Sequence, residues 1–589
     1  MCGIVGYAGK KNVIKNIMTG LKSLEYRGYD SAGIAYINDN SDINILKKEG
    51  PIKNLDKILN YEDEASIGIS HTRWATHGEA NDTNSHPHRQ GKITLVHNGI
   101  IENYDVLKKE LIKEGYTFKT NTDTEVAAAV IDNLYKKTGS MVEALKEATN
   151  ILKGSYAFNI INDDISDTIF GIRKDSPLIV GVSSEGNILA SDIPAIIHIT
   201  NKYVVLDNFD IVVLTKDSVE YYDRNGKRIT KEIREFDQEE EVIGKQGYDH
   251  FMLKEINEQG EVVKKLLSLY TKDNKVTIDF DIHKYKNIDI VACGSASFAG
   301  QIGKYYIENY ANIKTSVYYA SEYRYQKNFF NKDTLVILIS QSGETADTLA
   351  ALKLAKEAGI DTLAIVNRKD SSIAREAKEV IYTKAGIEIA VATTKAYLAQ
   401  VIVLLLLAIK GNDKEEEYLD SIRVLPNLIT KYINEYDYSS IAKVIENKEH
   451  VFYLGRGIDY YLSMEGSLKL KEISYIHSEA FQAGELKHGS ISLIDKDFGV
   501  IAVVTDKSIS DKTISNLKEV AARGAKIVAI TNIADDNFSD YKILVDDYNE
   551  LLNPLMAIVP MQLLAYNVAK LKDLDIDKPR NLAKSVTVE

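Results

Sequence analysis

Cysteine is scarce in this sequence, and its scarcity excludes several kinds of protein. Only two of the 589 residues are cysteines, Cys2 and Cys293, and they lie in different segments of the chain. Two such residues cannot build a disulfide framework, and neither belongs to a CxxC pair or to the Cys/His spacing of a zinc site. The sequence therefore predicts a protein of the reducing cytoplasm.

Long apolar runs and excess positive charge are missing as well. The longest apolar run, 401–409, has nine residues, whereas a membrane span needs about 20. Lys10 and Lys11 follow the first apolar stretch instead of preceding it, as an export signal would require. The net charge of −13 would repel nucleic acid and anionic lipid alike. We expect a buried helix at 401–409, no membrane association and no nucleic-acid partner.

What the sequence does contain is the pattern of a multidomain protein. At about 100 to 200 residues per domain, the chain should hold three or four domains. Its first third has short β-rich segments broken by Gly and Asn, such as 65–73 and 92–101, which favour an α+β layered domain. The rest alternates strand-like apolar runs with helical patterns, which is typical of parallel sheets covered by helices.

An internal repeat divides this second part. Residues 335–367 align with 500–532 at a constant offset of 165, and 289–297 resemble 450–458. Two similar α/β domains in tandem follow, with a connecting helix at 426–440. The predicted organisation is a first domain at 1–238, a linker at 239–248, α/β domains at 249–425 and 426–575, and a C-terminal tail at 576–589.

Cys2 is a candidate nucleophile because of its position. A thiol has a pKa near 8.5 and needs a base nearby to attack at neutral pH. If Met1 is removed, the free α-amine of Cys2 has a pKa of about 7.7 to 8.0 and can take the thiol proton. The alternative is that Cys2 is a small buried residue at the start of a strand.

Five segments give Cys2 its context: 24–33 (LEYRGYDSAG), 71–78 (HTRWATHG), 84–88 (NSHPH), 97–104 (HNGIIENY) and 122–125 (TDTE). Together they resemble the class II, N-terminal-nucleophile glutamine amidotransferases over roughly the first 235 residues. The resemblance implies an αββα layered domain and glutamine as substrate.

The same resemblance implies roles for single residues. Arg73 would bind the α-carboxylate of glutamine and Asp123 its ammonium group. The Asn98 side chain and the Gly99 N–H would form the oxyanion hole when Cys2 attacks the δ-amide. Further glutamine contacts are implied at Trp74, Thr76 and His77, with Trp74 at the gate of an ammonia channel. Asn-Gly taken alone is a hairpin-turn dipeptide, and Trp74 taken alone is an ordinary core aromatic.

Five of the eleven histidines fall within 27 residues, which suggests zinc: His71, His77, His86, His88 and His97. The cluster has no cysteine and no HExxH pair, and each histidine belongs to an amidotransferase segment. We therefore expect no metal site.

The hexapeptide SQSGET, 340–345, lies between an apolar run and a helical pattern. Backbone N–H groups at such a strand-to-helix turn suit a phosphate, and a Ser-rich helix cap is the alternative. With 293–297 (CGSAS) it resembles the phosphate site of sugar isomerase (SIS) domains, which have doubly wound parallel sheets. At the position equivalent to SQSGET, the second repeat has TDKSIS, 505–510. Only the first repeat is therefore expected to bind phosphate. GRGIDY, 455–460, lacks the third glycine of a dinucleotide-binding fingerprint.

Glu465, Lys469 and Glu472 are spaced to share one helix face, which is most often only a surface ion pair. With His488 in 484–490 (GELKHGS) and Lys584 in 580–589 (RNLAKSVTVE), they resemble the isomerizing amidotransferases that act on fructose 6-phosphate. This resemblance runs over nearly the whole chain.

That family's sugar-site roles are also implied by the resemblance. Lys584 would form a Schiff base with the C2 ketone, His488 would assist ring opening, and Glu472 would move a proton from C1 to C2. The implied phosphate and sugar contacts are Ser295, Ser340, Gln341, Ser342, Thr345, Val391, Lys469 and Ala583. The family needs no metal, nucleotide or flavin, and is expected to be a homodimer in which the histidine crosses the interface. Departures from its pattern stand at Ala80, Ala296 and Ser490.

Two other functions are alternatives to this one. An amidotransferase could feed another acceptor, such as phosphoribosyl pyrophosphate, but no acidic pyrophosphate-binding motif follows a strand in this sequence. A non-catalytic sugar-phosphate sensor built from SIS domains would have no use for Cys2, Glu472 and Lys584 together.

Overall fold

The computed structural model describes residues 2–38, 40–75, 77–236, 244–535 and 537–587. The chain divides into two units, Met1–Val242 with Ala583–Glu589, and Ile243–Leu582. The C-terminal tail is thus divided at Leu582, because its last residues belong with the first unit. The linker at 239–248 falls partly outside the described residues, and the predicted domain boundaries stay predictions.

The first unit is built on two antiparallel sheets. One has eight strands in the order β15-β11-β9-β10-β1-β4-β2-β3, and the other has seven in the order β14-β13-β12-β8-β7-β6-β5. The strands are β1 Gly3–Gly9, β2 Ser31–Asn38, β3 Ile43–Glu49, β4 Ala65–Arg73, β5 His88–Gln90, β6 Ile93–Ile101, β7 Gly154–Asn162, β8 Ile165–Lys174, β9 Ile179–Gly181, β10 Gly186–Ala190, β11 Lys202–Val205, β12 Ile211–Leu214, β13 Val219–Tyr222, β14 Arg228–Ile229 and β15 Arg234–Glu235.

Helices cover both outer faces of this sheet pair. They are α1 Val13–Ser23, α2 Ile52–Asp56, α3 Tyr104–Lys113, α4 Asp123–Thr138 and α5 Met141–Ile151. Helix α1 packs on β1 and β4, while α4 packs on β5 and β6. Alternating apolar residues, such as Ile67 and Ile69 of β4, fill the space between the sheets, as the period of two requires. The αββα domain predicted from the sequence is confirmed.

The second unit holds two five-stranded parallel sheets, in the orders β19-β18-β20-β21-β22 and β24-β23-β25-β26-β27. A short hairpin of β16 and β17 precedes them. The strands are β16 Thr271–Lys272, β17 Lys275–Val276, β18 Asn287–Ala292, β19 Lys314–Tyr319, β20 Thr334–Ser340, β21 Asp361–Val366, β22 Glu379–Tyr382, β23 His450–Gly455, β24 His477–Gln482, β25 Gly499–Val504, β26 Lys526–Thr531 and β27 Tyr541–Leu544.

The helices of the second unit connect these strands. They are α6 Phe251–Asn257, α7 Gln259–Tyr270, α8 Gly294–Tyr306, α9 Ala320–Tyr323, α10 Ala346–Glu357, α11 Ser372–Glu376, α12 Lys395–Ile409, α13 Glu415–Glu435, α14 Tyr438–Ala442, α15 Ile458–Ser474, α16 Ser510–Ala521 and α17 Ile558–Leu571. Strand β18 lies between β19 and β20, so the direction of winding reverses beside it. In such sheets ligands bind at this switch point, outside the carboxyl ends of the strands.

The sequence repeat corresponds to a structural repeat. β20 and β25 start 165 residues apart, as do β21 and β26, so the predicted offset is confirmed. The other pair of segments, 289–297 and 450–458, implies an offset of 161, and this offset is wrong. Strand register places corresponding residues of β18 and β23 164 residues apart. Ile290 pairs with Ile337 in the first sheet, and Leu454 pairs with Ala502 in the second.

Two helices differ from expectation. The connecting helix predicted at 426–440 is α13, which begins at Glu415 and continues through Pro426 to Glu435. Pro426 is buried inside the helix, so it interrupts the backbone hydrogen bonds without ending the helix. The helix predicted to carry Glu465, Lys469 and Glu472 is α15, which already begins at Ile458 and ends at Ser474, because Tyr475 adopts a left-handed conformation with φ of 60°.

Apolar helices in the second unit are buried within it. Every residue of α12 is buried, which confirms the buried helix predicted at 401–409. Among the described residues, one helical stretch, Asn553–Leu571, is long and apolar enough to cross a membrane, but 83% of its apolar window is buried inside the fold. It therefore has the character of a core helix.

Candidate active sites

The first site forms where two neighbouring strands bring Cys2 and Trp74 together. Cys2 immediately precedes β1, and Trp74 immediately follows β4, which pairs with β1 with Gly3 opposite Thr72. The Cys2 Sγ lies 3.3 Å from the Trp74 backbone nitrogen and 3.5 Å from its carbonyl oxygen. The thiol is thus fixed at the open end of a central strand.

The surroundings of Cys2 do not supply an obvious base. Burial raises the pKa of the Cys2 thiol, and the hydrogen bond from the Trp74 backbone and the positive charge of Arg73 only partly oppose this effect. Within the part of the chain that the structure describes, the Sγ hydrogen-bonds to the Trp74 backbone and to no basic side chain. The thiol therefore needs another proton acceptor.

Asn98 and Gly99 lie beside Cys2 on the second sheet. The Asn98 Nδ2 donates a hydrogen bond of 3.0 Å to the Cys2 carbonyl oxygen. Both residues are inside β6, so the hairpin-turn interpretation of this dipeptide is wrong. Gly99 has φ of +134°, and a Cβ there would lie 2.0 Å from the Ser155 carbonyl oxygen. Only glycine fits this backbone.

A small cavity joins most of the residues predicted for glutamine. Its lining comprises Cys2, Arg73, Trp74, His77, His86, His97, Gly99, Thr122, Asp123 and Thr124. The Asp123 carboxylate accepts a hydrogen bond of 2.8 Å from the Ile101 N–H, which fixes it at the cavity wall. Thr76, also predicted to bind glutamine, lies outside the described residues.

Arg73 shapes the loop that borders this cavity. Its guanidinium donates to the carbonyl oxygens of His77 at 2.5 Å, Gly78 at 2.9 Å and Glu79 at 3.2 Å. These bonds use three of the five N–H donors of a guanidinium. Arg73 thus holds the loop in place by its backbone and is itself 3% exposed.

The buried histidines act as a scaffold beneath the cavity. The His71 Nε2–H donates a 2.9 Å hydrogen bond to the His97 carbonyl oxygen, and the His97 N–H donates to His86 Nδ1 at 3.2 Å. The His71 and His86 rings stack with centroids 4.0 Å apart. Burial lowers the pKa of His71 to about 3, and burial likewise lowers those of His86, His88 and His97. These rings are therefore neutral at physiological pH, and at least one nitrogen of each ring hydrogen-bonds to a protein group.

Replacing Gly99 by alanine tests this geometry. The added Cβ would collide with the Ser155 carbonyl at a φ that favours glycine, so we expect a loss of at least about 3 kcal/mol in the free energy of unfolding. Gly139 also has positive φ, but nothing lies within 4 Å of its Cβ position. Gly139→Ala should therefore cost only about 1 kcal/mol. Equal losses in denaturant unfolding of the two variants would contradict this account.

The second site begins at the loop between β20 and α10. The Ser340 Oγ lies 2.8 Å from the Thr345 Oγ1 and accepts a 3.0 Å hydrogen bond from the Gly343 N–H. Thr345 is the residue before the helix, yet its side chain does not cap α10. This observation disfavours the helix-cap interpretation. The hydroxyl groups and N–H groups of the loop instead meet at the switch point of the sheet.

The companion loop brings Ser295 to a buried charged cluster on α15. The Ser295 Oγ donates to Glu465 Oε1 at 3.0 Å and accepts from the Lys469 ammonium at 3.1 Å. Lys469 also pairs with Glu465 at 3.3 Å and forms an ion pair with Glu472. Glu465 and Lys469 are each 1% exposed. The surface-pair interpretation of this stripe is therefore wrong.

Burial and neighbouring charges shift the pKa values of Glu465 and Lys469. Burial raises the pKa of Glu465 to about 7, with Glu472 adding to the effect and Lys469 opposing it. Burial disfavours the charged form of Lys469, but Glu465 and Glu472 outweigh it and raise its pKa. Lys469 is thus an ammonium ion at neutral pH, whereas Glu465 can exchange a proton.

Other predicted sugar-site residues are placed separately. Val391 is buried before α12, and its N–H donates to the Asp577 carbonyl at 3.1 Å. His488 is exposed in a 3-10 turn, Glu485–His488, and none of its described contacts reaches the α15 cluster. Ala583 and Lys584 belong to the first unit. The structure therefore joins Ser295 and Lys469, but it does not join His488 to them.

Sequence reasoning missed residues that organise the second site. Glu465 was part of the helical stripe but was assigned no role, although its burial makes it a member of the cluster. Asn367 links the loop at 340–345 to the segment before α12: its N–H donates to the Gln341 carbonyl and its side chain to the Gly386 carbonyl. No local pattern marks Asn367, because both partners are distant in sequence or in loops.

Comparison with known proteins identifies both kinds of domain. The fold and the two sites define a glutamine amidotransferase with paired SIS domains: residues 71–198 match the glutamine amidotransferase domain family, and 281–410 and 444–571 match the SIS domain family. Glutamine–fructose-6-phosphate aminotransferase (isomerizing) of Caldanaerobacter subterraneus subsp. tengcongensis is 48% identical over 611 residues, covering 100% of both chains. The chain therefore belongs to the glutamine–fructose-6-phosphate aminotransferase (isomerizing) family.

Further relatives support this membership. The protein of the same name from Clostridium tetani is 47% identical, again with 100% of both chains covered. Among solved structures, the C-terminal domain of glucosamine-fructose-6-phosphate aminotransferase from Francisella tularensis is 39% identical. It matches with a TM-score of 0.55 and covers 57% of this chain and 99% of its own.

Proposed function

We propose that the chain transfers the amide nitrogen of glutamine to fructose 6-phosphate and isomerises the product to glucosamine 6-phosphate, releasing glutamate. The observation that carries this proposal is the hydrogen-bonded cluster of Ser295, Glu465, Lys469 and Glu472 beside the phosphate loop, on a chain that also holds Cys2 in an amidotransferase fold. The reaction supplies the first amino sugar for UDP-N-acetylglucosamine synthesis in the cytoplasm.

In the glutaminase reaction, the α-amine of Cys2, freed by removal of Met1, takes the thiol proton. The thiolate attacks the glutamine δ-carbon, and the oxyanion is stabilised by the Asn98 amide and the Gly99 N–H. Ammonia leaves, and water then hydrolyses the thioester to glutamate. Arg73 and Asp123 bind the α-carboxylate and the ammonium group of glutamine, with Trp74, Thr76 and His77 completing the contacts.

In the sugar reaction, the phosphate is bound by Ser295, Ser340, Gln341, Ser342 and Thr345, and Val391 and Ala583 contact the sugar. His488 assists ring opening, and the Lys584 amine condenses with the C2 ketone with loss of water. Ammonia displaces lysine to give a fructosimine. Glu472 then moves a proton from C1 to C2, and the Lys469 ammonium stabilises the enolate-like charge.

A two-substrate assay tests this function. The protein is incubated with glutamine and fructose 6-phosphate, and glutamate and hexosamine phosphate are measured separately. We expect both products in equal amounts, and no hexosamine phosphate when ribose 5-phosphate or phosphoribosyl pyrophosphate replaces the hexose. Glutamate with no amino sugar would indicate another acceptor. Neither product would favour a sugar-phosphate sensor.

We further propose a homodimer, in which the exposed His488 of one subunit serves the sugar site of the other. Its exposure on a glycine-flanked turn supports this arrangement. We propose no membrane or nucleic-acid partner, in keeping with the net charge of −13. Mixing inactive His488→Ala and Glu472→Gln proteins should restore synthesis to a fraction of the dimers. No restored activity after subunit exchange would contradict a shared site.

Trp74 is expected to couple the two reactions. Its side chain is half-buried, while its backbone contacts the Cys2 thiol. Trp74→Ala keeps this backbone contact, so glutaminase turnover should change by less than about threefold. Hexosamine phosphate formed per glutamate should fall severalfold because ammonia escapes into water. Trp74→Phe, which retains an aromatic ring, should retain most of the coupling, and an unchanged ratio in Trp74→Ala would exclude the role.

A further inference from the structure

The two α/β repeats differ at the position where the first is proposed to bind phosphate. Ile290 of β18 pairs with Ile337 of β20, and Leu454 of β23 pairs with Ala502 of β25, which lies 165 residues after Ile337. Residues of β18 therefore correspond to residues of β23 that lie 164 positions later. The helix N-caps agree with this offset. Cys293 precedes α8 and Gly457 precedes α15.

The same offset makes Asp459 the counterpart of Ser295. Asp459 lies in the first turn of α15 and is 1% exposed. Its Oδ2 accepts hydrogen bonds from the Thr505 N–H at 2.9 Å and from the Asp506 N–H at 3.1 Å, and its Oδ1 accepts one from the Thr505 hydroxyl. Thr505 is in turn the counterpart of Ser340. The second loop therefore binds a carboxylate of its own chain.

We propose that Asp459 takes the place of the anion in the second repeat and acts as a positioning residue for the sugar reaction. The two N–H groups and the hydroxyl are donors of the kind that a phosphate would use in the first repeat. With the carboxylate in place, the second loop is closed to sugar phosphates. Of the two described loops, only the first is thus left to bind a sugar phosphate.

The positioning role follows from the helix that carries Asp459. Its carboxylate ties the first turn of α15 to the loop after β25, and the same helix carries Glu465, Lys469 and Glu472. If this tie is lost, α15 can shift relative to Ser295 on α8. A displacement of about 1 Å at a reacting group can cost about 10²-fold in rate. This role rests on the proposed function.

Asp459→Ala tests the proposal. We expect kcat for glucosamine 6-phosphate synthesis to fall about 10- to 100-fold, with KM for fructose 6-phosphate within about threefold and glutaminase turnover unchanged. Sodium formate should restore part of kcat, since its carboxylate can occupy the vacated position, whereas sodium chloride at equal ionic strength should not. Asp459→Asn, which keeps one acceptor oxygen, should lie between Ala and the parent protein.

Controls separate this role from general stability and from the proposed function. Asp511→Asn, at an exposed acidic residue in the first turn of α16, should behave as the parent protein. Formate should raise the Tm of Asp459→Ala by about 2 °C or more and leave the parent unchanged. This measurement decides the anion replacement even if the parent makes no amino sugar. An unchanged kcat in Asp459→Ala, or no difference between formate and chloride, would overturn the proposal.

Discussion

Lys584→Ala should abolish glucosamine 6-phosphate synthesis, by on the order of 10³-fold or more, while glutaminase turnover remains. Without the amine, no Schiff base can form with the C2 ketone. The other lysine of the proposed sugar site is unsuited to this step, because Glu465 and Glu472 raise the pKa of Lys469 and keep it protonated. Near the end of the described residues, Thr587 is buried, with 4% of its surface exposed.

The assignment has a direct chemical test. Borohydride reduction in the presence of fructose 6-phosphate should attach the sugar to the peptide containing Lys584, as read by mass spectrometry. Lys584→Arg should be as inactive as Lys584→Ala, because a guanidinium keeps the charge but does not form the imine. Lys578→Ala, a lysine earlier in the same tail, is the matched control and should retain synthesis. Labelling of Lys469, or synthesis by a chain ending at Arg580, would disprove the assignment.

Cys2→Ala should reduce glutaminase turnover by about 10⁴-fold or more, since no other nucleophile replaces the thiolate. The only other cysteine, Cys293, is half-buried before α8 in the second unit. Cys293→Ala should therefore retain glutaminase turnover. A glutamine-analogue electrophile should label Cys2 in the parent protein and leave Cys293 unmodified.

The proposed base for Cys2 requires that Met1 be absent. Because the described surroundings of the thiol hold only the Trp74 backbone as a hydrogen-bond partner, the α-amine is the remaining candidate. N-terminal sequencing of active protein should begin at Cys2. A variant that blocks methionine removal, such as Gly3→Pro, would also disturb the strand, so the cleaner comparison is between processed and unprocessed protein of the same sequence. Full activity in protein that retains Met1 would refute the α-amine as base.

Much of the fold was predictable because its signals are local. The period of two in residues 65–73 corresponds to β4, and the offset of 165 between the repeats corresponds to β20 and β25. Turn residues and apolar periodicity act over a few neighbours, so a sequence displays them directly. The ends of helices were less predictable. The predicted connecting helix began at Pro426, yet α13 begins at Glu415 and continues through this proline.

The candidate sites divide in the same way. Motifs identified Cys2, Arg73 and Asp123, which the fold brings to one cavity. Whether Glu465 and Lys469 formed a surface pair or a buried cluster could not be read from their spacing, because i, i+4 pairs look alike in either environment. The packing of α15 against α8 decided that the charged residues form a buried cluster. The cost of burying unpaired charges explains why the cluster is closed by mutual ion pairs and by Ser295.

By itself, the sequence determined the types of domain and the repeat, and its motifs predicted the nucleophile and the residues of the phosphate loop. The tertiary structure decided that Gly99 lies within a strand, that the tail from Ala583 belongs with the first unit, and that Asp459 fills the second loop. The physical reason is the separation along the sequence of the residues that interact. Periodicity and turn chemistry depend on neighbours in sequence, whereas strand register, burial and the partner of a buried carboxylate depend on residues far along the chain.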